Sequence, residues 1–354
     1  MYPIIRLAGN IAVSNVTELS APYKLIYALT YQCQLKCSMC HIWKRKPLLE
    51  LTSEEIREFF RRSNAFSWIN LSGGEIFLRP DLPAIFNAIA TSCKGLYLLN
   101  FPTNGFLTEV IVDAVTRIVQ DRQFPKVLVT VSLDGPPELH DRIRNMPGSW
   151  DRAVDTYQRL RRLRSRGFNV YFGMTLQDAN AHAFEEMVRS VGERIGDIHY
   201  GDFHVNLQHT SEHYYDNAGS SRLMDKQRVL DRLGAIETLR NRAGSGPVKY
   251  LEQRYQALAS VYLLENRTPV ACQALAASLF MDPAGTLYPC TIYNRPIGNI
   301  KDHGYCLGDL WNTGQRQSVR TEIRAGNCPQ CWTPCEAYQS ILANVVLLRK
   351  RSRL

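Results

Sequence analysis

Cys33, Cys37 and Cys40 follow one another with the spacing C-x3-C-x2-C, directly after an apolar run that ends at Thr30. Three thiolates close only three corners of a cubane [4Fe–4S] cluster, which takes four cysteines when saturated. The remaining iron is left open for a ligand, as catalytic metal sites keep one position empty. A zinc site completed by His41 or His140 is the competing reading of the same residues. The shorter spacing of bacterial ferredoxins does not fit. Five more cysteines, Cys272, Cys290, Cys328, Cys331 and Cys335, include a C-x2-C pair that suits a second cluster or a zinc ribbon. Only Cys93 and Cys306 stand apart, and small buried apolar positions account for them.

The elements that must position these residues alternate between short β-rich runs and longer amphipathic ones. Strands are expected at 24–29, 68–71, 96–101, 127–131 and 170–176, with a weaker one at 204–207. Helices are expected at 82–90, 108–120 and 150–166, and one begins at Thr52, where Thr52 and Glu55 make a capping box. Repeated strand–helix units predict an α/β fold on a parallel sheet, open or closed into a barrel. Cys33–Cys40, Gly73–Glu75, Thr103–Gly105 and Ser132–Gly135 each follow the C-terminal end of an expected strand, the edge where such sheets bind ligands. After about residue 236 the pattern changes. Residues 241–247 read as a loop, 249–264 as a helix, 278–281 and 286–288 as a hairpin around Asp282-Pro283-Ala284-Gly285, and 336–348 as a last helix.

Composition narrows the setting. The chain of 354 residues is 45% hydrophobic and carries a net charge of +9. No apolar run reaches the ~20 residues of a membrane span. The first fifteen residues lack the form of a secretory signal, so a cytoplasmic protein is expected, and clustered cysteines there are metal ligands more often than disulfides. The arginines at 159, 161, 162, 164 and 166 read as a solvated helix face. No aromatic-rich nucleic-acid motif accompanies the basic residues.

With its loops in this order, the sequence resembles the radical S-adenosylmethionine (SAM) superfamily, whose cluster loop is C-x3-C-x-Φ-C. Met39 takes the often aromatic Φ position, where a thioether can also lie against a purine. The resemblance implies a partial (β/α)6 TIM-like barrel at 23–235 and a small C-terminal α+β iron–sulfur domain at 236–354, after an N-terminal segment at 1–22. It implies that the open iron is chelated by the amino and carboxylate groups of SAM. One electron then breaks a sulfonium C–S bond, giving methionine and a 5′-deoxyadenosyl radical that abstracts a hydrogen atom. Gly73, Gly74 and Glu75 match the motif that receives the amino group, the glycines giving access and the carboxylate matching an ammonium. Ser132 and Asp134 match the ribose contacts, Asn104 a further contact, and Arg144 either a carboxylate partner or a structural ion pair.

Cys272-x12-Gly285-x4-Cys290 resembles the opening of the superfamily's SPASM/Twitch extensions, and Gly298-Asn299-Ile300 continues the likeness. Five cysteines are too few for two fully cysteine-ligated clusters, so one auxiliary [4Fe–4S] cluster is implied, held by four of them. Sulfatase maturases carry a basic Asp after the cysteine matching Cys290; Thr291 stands here, which argues against that reaction and leaves the general base open among Tyr288, Tyr293, His204, His209 and His213. The implied function is hydrogen-atom abstraction from a peptide, protein or small molecule, fed by a flavodoxin- or ferredoxin-type reductant. About 22 residues precede the first strand, so no separate peptide-recognition domain is expected there. Two alternatives are a small-molecule dehydrogenase or rearrangement enzyme of natural-product or cofactor biosynthesis, and an iron–sulfur electron carrier that leaves SAM intact.

Overall fold

Residues Lys24–Thr30 form strand β1, buried at every position, and the sheet grows from both of its sides in the computed structural model. The structure describes residues 2–46, 48–219, 225–240 and 246–345. On one side lie β2 (Trp68–Gly73), β3 (Leu98–Thr103), β4 (Lys126–Ser132), β5 (Phe168–Leu176) and β6 (Phe203–Leu207), each parallel to the last. Helices α1 (Pro3–Ser14), α2 (Ser53–Arg62), α3 (Leu82–Ser92), α4 (Thr108–Gln120), α5 (Pro137–Arg144), α6 (Ser149–Arg161) and α7 (Phe184–Ile195) precede or connect these strands. After α8 (Lys226–Arg240) and α9 (Pro247–Glu265) the chain returns to the other side of β1. There β7 (Ser278–Met281) pairs parallel to β1, and β8 (Thr286–Tyr288) and β9 (Gly298–Asn299) follow antiparallel. Three helices, α10 (Leu307–Trp311), α11 (Gly314–Arg324) and α12 (Pro334–Ala343), complete the described chain. One nine-stranded sheet results, with β6 and β9 as its edges.

The period-2 geometry of a strand sorts the side chains into two faces. On β4, Val127, Val129 and Val131 are buried in the main hydrophobic cluster with Tyr157 and Leu160 of α6, whereas Leu128, Thr130 and Ser132 line an internal cavity. The same division runs across the neighbouring strands. Ile69 and Leu71 face the helices, while Asn70 and Ser72 face the cavity. Phe203 and Val205 pack outward, and His204 and Asn206 inward.

The capping box of α2 forms as expected: Glu55 N donates to Thr52 Oγ1 at 3.2 Å, and Thr52 N donates to Glu55 Oε2 at 2.8 Å. Helix α6 stops at Arg161, short of the expected 166. Beyond its end, the Arg164 guanidinium turns back to Asp202 at 2.6 Å and to the Val170 carbonyl at 2.8 Å. Arg161 pairs with Asp197 and Arg159 with Glu109, so this face is held by ion pairs. Helix α1 has no counterpart among the expected elements. The loop expected at 241–247 falls mostly on residues outside those described, as does the end of the last helix at 346–348. Replacing Thr52 by Ala removes one half of the capping box and should cost about 1 kcal/mol, read as a lower urea midpoint with an unchanged slope.

Candidate active site

The cysteine loop leaves β1 at Thr30 and is tied down from several directions by backbone contacts. Gly74 N donates to Thr30 O at 2.7 Å and Glu75 N to Gln32 O at 2.8 Å. Ser38 N donates to Ile143 O of α5 at 2.9 Å, and His41 N to Tyr215 O at 2.8 Å. Asn217 Nδ2 holds the Met39 carbonyl at 2.8 Å. These contacts fix the loop that carries all three thiols.

The two glycines have a physical reason inside the protein. A Cβ on Gly73 would lie 2.1 Å from Thr30 O, and one on Gly74 would lie 2.0 Å from Gln32 O. Gly73 also has φ +126°, a conformation side chains avoid. Close packing of one loop on the other therefore demands both glycines. Tyr214, absent from the sequence reading, adds a clamp: its hydroxyl lies 2.5 Å from Ser72 Oγ and accepts from Gly73 N at 3.2 Å.

Cys33, Cys37, Met39 and Cys40 line a cavity of about 340 Å³ that runs inward between the strands. Gly73, Gly74, Asn104, Ser132 and Arg144 line it as well, and so does Cys335 from the start of α12. Glu75 lies just behind this wall, where its carboxylate accepts from Asn104 N at 2.7 Å and from the Thr103 hydroxyl. Burial pushes that carboxyl up to about 7, against the pull of these donors. Asp134 is also fully buried behind the wall, accepting from Thr175 N at 2.8 Å and paired with Arg144 at 2.6 Å. Of the two roles open to Arg144, the ion pair is formed. Its other nitrogen approaches Cys37 Sγ at 3.7 Å.

The thiols themselves sit in apolar surroundings. Burial pushes Cys33 up to about 11 and Cys40 up to about 12, and it raises Cys37 against the opposing charge of Arg144. Thiolates this deep need more positive charge than Arg144 supplies, and iron provides it while displacing the protons. Three cysteine thiols carried on one loop and lining one cavity are a donor set that fits a cluster.

The C-terminal cysteines divide. The Cys290 and Cys331 thiols are in hydrogen-bond contact, and Cys272 feels both Cys290 and Cys328. Cys335 is close enough to feel Cys290 but opens into the main cavity, where Lys24 Nζ donates to its carbonyl at 2.6 Å. Lys24 also donates to Gln339 Oε1 at 2.7 Å and lies 4.0 Å from the Trp68 ring centre. Burial pulls its ammonium down and the nearby Glu336 carboxyl up. Of the five candidate bases, His204 and His209 line the cavity. His213 holds the Cys290 carbonyl at 3.0 Å, and Tyr293 binds Glu322.

A parallel sheet whose strand-end loops gather three thiols around one internal cavity defines a cluster-binding α/β enzyme scaffold. The sequence profile of the radical SAM superfamily matches residues 27–191, and that of the SPASM iron–sulfur cluster-binding domain matches residues 272–336. The chain belongs to the radical SAM superfamily and carries a SPASM domain; its cofactors are [4Fe–4S] clusters and SAM. It is 23% identical over 308 residues to the antilisterial bacteriocin subtilosin biosynthesis protein AlbA of Bacillus subtilis, covering 84% of this chain and 61% of AlbA, less than two thirds of that relative. It is 25% identical over 331 residues to the AdoMet-dependent heme synthase of Methanosarcina barkeri, covering 88% and 89% of the two chains. Streptococcus suis SuiB bound to S-adenosylmethionine shares the fold, with TM-score 0.61 at 14% identity over 88% of this chain and 70% of SuiB. No helix among the described residues is long and apolar enough to cross a membrane.

Removing the partner of a buried charge is costly. Asp134→Ala leaves Arg144 unpaired and should destabilise the apo protein by about 3–5 kcal/mol in urea unfolding. Asp134→Asn, which keeps the acceptor for Thr175 N, should lose less.

Proposed function

We propose that the chain abstracts a hydrogen atom from a peptide substrate held in the cavity between the strands. The observation that carries this reading is the shared cavity: the three loop thiols, the glycine loop and Ser132 open into the same chamber as Lys24, Asn70 and Asn206. Cys33, Cys37 and Cys40 hold the first cluster, with Arg144 beside Cys37. Gly73 and Gly74 receive the amino end of SAM, with Glu75 buried behind them on Thr103 and Asn104; Met39, Asn104 and Ser132 line the rest of its site, and Asp134 acts by holding Arg144. Cys272, Cys290, Cys328 and Cys331 hold the auxiliary cluster. When bound, the reduced cluster and SAM supply a carbon-centred radical strong enough to take hydrogen from an unactivated C–H bond.

The protein's own contribution is orientation and exclusion of water. The clamp of Tyr214 on Ser72 and Gly73 keeps the glycine loop seated. Tyr214 and Tyr215, packed beside Cys40 and Cys335, wall the chamber between the two cysteine groups. We assign residues 23–235 to radical generation and 236–354 to the auxiliary centre. Ten free thiols suit a reducing cytoplasm.

The lining favours a peptide over a polyanionic small molecule. Among the described residues its only Lys or Arg side chains are Lys24 and Arg144, and both already have partners. Its other polar groups are amides, hydroxyls, the imidazoles of His204 and His209 and the Glu252 carboxyl, with the buried Asn70 Oδ1 and Asn206 Oδ1 lacking a donor among the described residues. Such acceptors match peptide N–H groups. AlbA serves bacteriocin biosynthesis and SuiB has been crystallised with its precursor peptide, which supports the same choice. The heme synthase supports a small-molecule reading over a larger share of its length.

Dithionite-reduced, cluster-loaded protein with SAM should release 5′-deoxyadenosine and methionine, measured by mass spectrometry. Cluster-loaded protein that releases neither is an electron carrier. Cys335→Ala should retain about eight irons per chain, whereas Cys290→Ala should lose iron from the auxiliary centre alone. Equal losses in both variants would make Cys335 a ligand.

A further inference from the structure

The outer surface of the cysteine loop carries an unusual charge pattern. Residues 31–49 contain Lys36, Lys44, Arg45 and Lys46, and no Asp or Glu. Lys36, Lys44 and Lys46 are exposed, and Lys36 stands between Cys33 and Cys37 in the chain. The ammonium groups of Lys36 and Lys44 lie 5.6 and 5.2 Å from the centre of the Trp43 ring, which gathers them around one aromatic side chain. The contact of Ser38 N with Ile143 O brings α5 alongside, and with it the exposed Arg142. Among the described residues, none of Lys36, Lys44, Lys46 and Arg142 has an ion-pair partner. The arginines of α6 differ, since Arg159, Arg161 and Arg164 are each paired with a carboxylate. Exposed acids adjoin this face too, Glu212 and Asp216 in the 211–217 segment and Glu138 one turn from Arg142 on α5, so positive charge predominates without being alone.

We propose that this face docks an acidic one-electron carrier protein, with Lys36, Lys44, Lys46 and Arg142 steering it onto the loop. The proposal rests on reading Cys33, Cys37 and Cys40 as the ligands of the cluster that must be reduced. An incoming electron has to be delivered close to those thiols, and Lys36 is the chain neighbour of Cys37. Complementary charge raises the encounter rate of such a pair, and redox encounters use small interfaces that a patch of this size can supply. Anionic membrane is the other partner that basic residues beside exposed Leu48 and Leu49 suggest. Those two leucines lie in non-helical chain, without the amphipathic helix that interfacial binding uses.

The test uses anaerobically reconstituted holoenzyme and reduced flavodoxin, with cluster reduction followed by stopped-flow absorbance across ionic strength. For the wild type, the second-order rate constant should fall steeply with added salt. The Lys36→Glu/Lys46→Glu variant should be slowed at least ten-fold at low salt and lose most of that dependence, and Lys36→Arg/Lys46→Arg should behave as the wild type. Iron content and the rate with dithionite should be the same in all three, which separates docking from damage to the cluster. Reduction by flavodoxin that is equally fast and equally salt-dependent in the charge-reversed variant would overturn the proposal. So would wild-type sedimentation with phosphatidylserine vesicles that the reversal abolishes while the flavodoxin rate is unchanged. Failure of dithionite-reduced wild type to cleave SAM would instead strike the reading of the cluster site itself.

Discussion

Two backbone hydrogen bonds, from Gly74 N to Thr30 O and from Glu75 N to Gln32 O, seat the glycine loop against the first residues of the cysteine loop. No side chain fits at either glycine, because the neighbouring carbonyl oxygens already occupy the place of a Cβ. This contact fixes the thiol-bearing loop relative to the carboxylate of Glu75. Glu75 in turn is fixed to the end of β3 by Thr103 and Asn104. Three successive strand ends thus become one rigid rim. The Arg144–Asp134 pair extends that rim to β4 and α5, at the cost of burying two charges that only each other's presence makes tolerable.

Below the rim, the sheet is unusual in having two occupied faces of opposite character. The helix-facing side is a packed apolar core, and the inner side carries amides, hydroxyls and His204 around an internal cavity. The return of the chain to pair β7 with β1 carries α12 to this cavity, which residues of α9 also line. It brings α12, and with it Cys335, Glu336 and Gln339, against Lys24. A single sheet therefore carries both cysteine groups and holds a chamber between them.

Much of this was legible in the residues. Each of the first six strands came close to its observed position, because alternation and strand-end glycines are local signals. The capping box at Thr52 and Glu55 was legible for the same reason. The pairing of β7 with β1 was not, since a four-residue strand carries no mark of its partner more than 240 residues away. The inner polar positions, such as Asn70, Asn100 and Asn206, carry no sequence mark that separates a cavity-facing side from a solvated one; only the tertiary arrangement turns that side inward. Tyr214 and Lys24 gave no sequence signal at all, because their roles arise from contacts between distant segments. The place of Cys335 likewise needed three dimensions: in the chain it is one of five clustered cysteines, and the N-terminal turn of α12 brings it to the wall of the chamber.

The claim on which the rest stands is that Cys33, Cys37 and Cys40 leave one iron open inside the chamber to receive the methionine end of SAM. Pulsed electron–nuclear double resonance on the reduced holoenzyme, with SAM labelled by 15N at its amino group and 17O at its carboxylate, tests it directly. The expected result is strong coupling of both labels to a [4Fe–4S]+ signal that disappears in Cys37→Ala, while the auxiliary cluster's signal survives. A reduced-cluster signal without coupling to either label, or coupling that persists in Cys37→Ala, would contradict it.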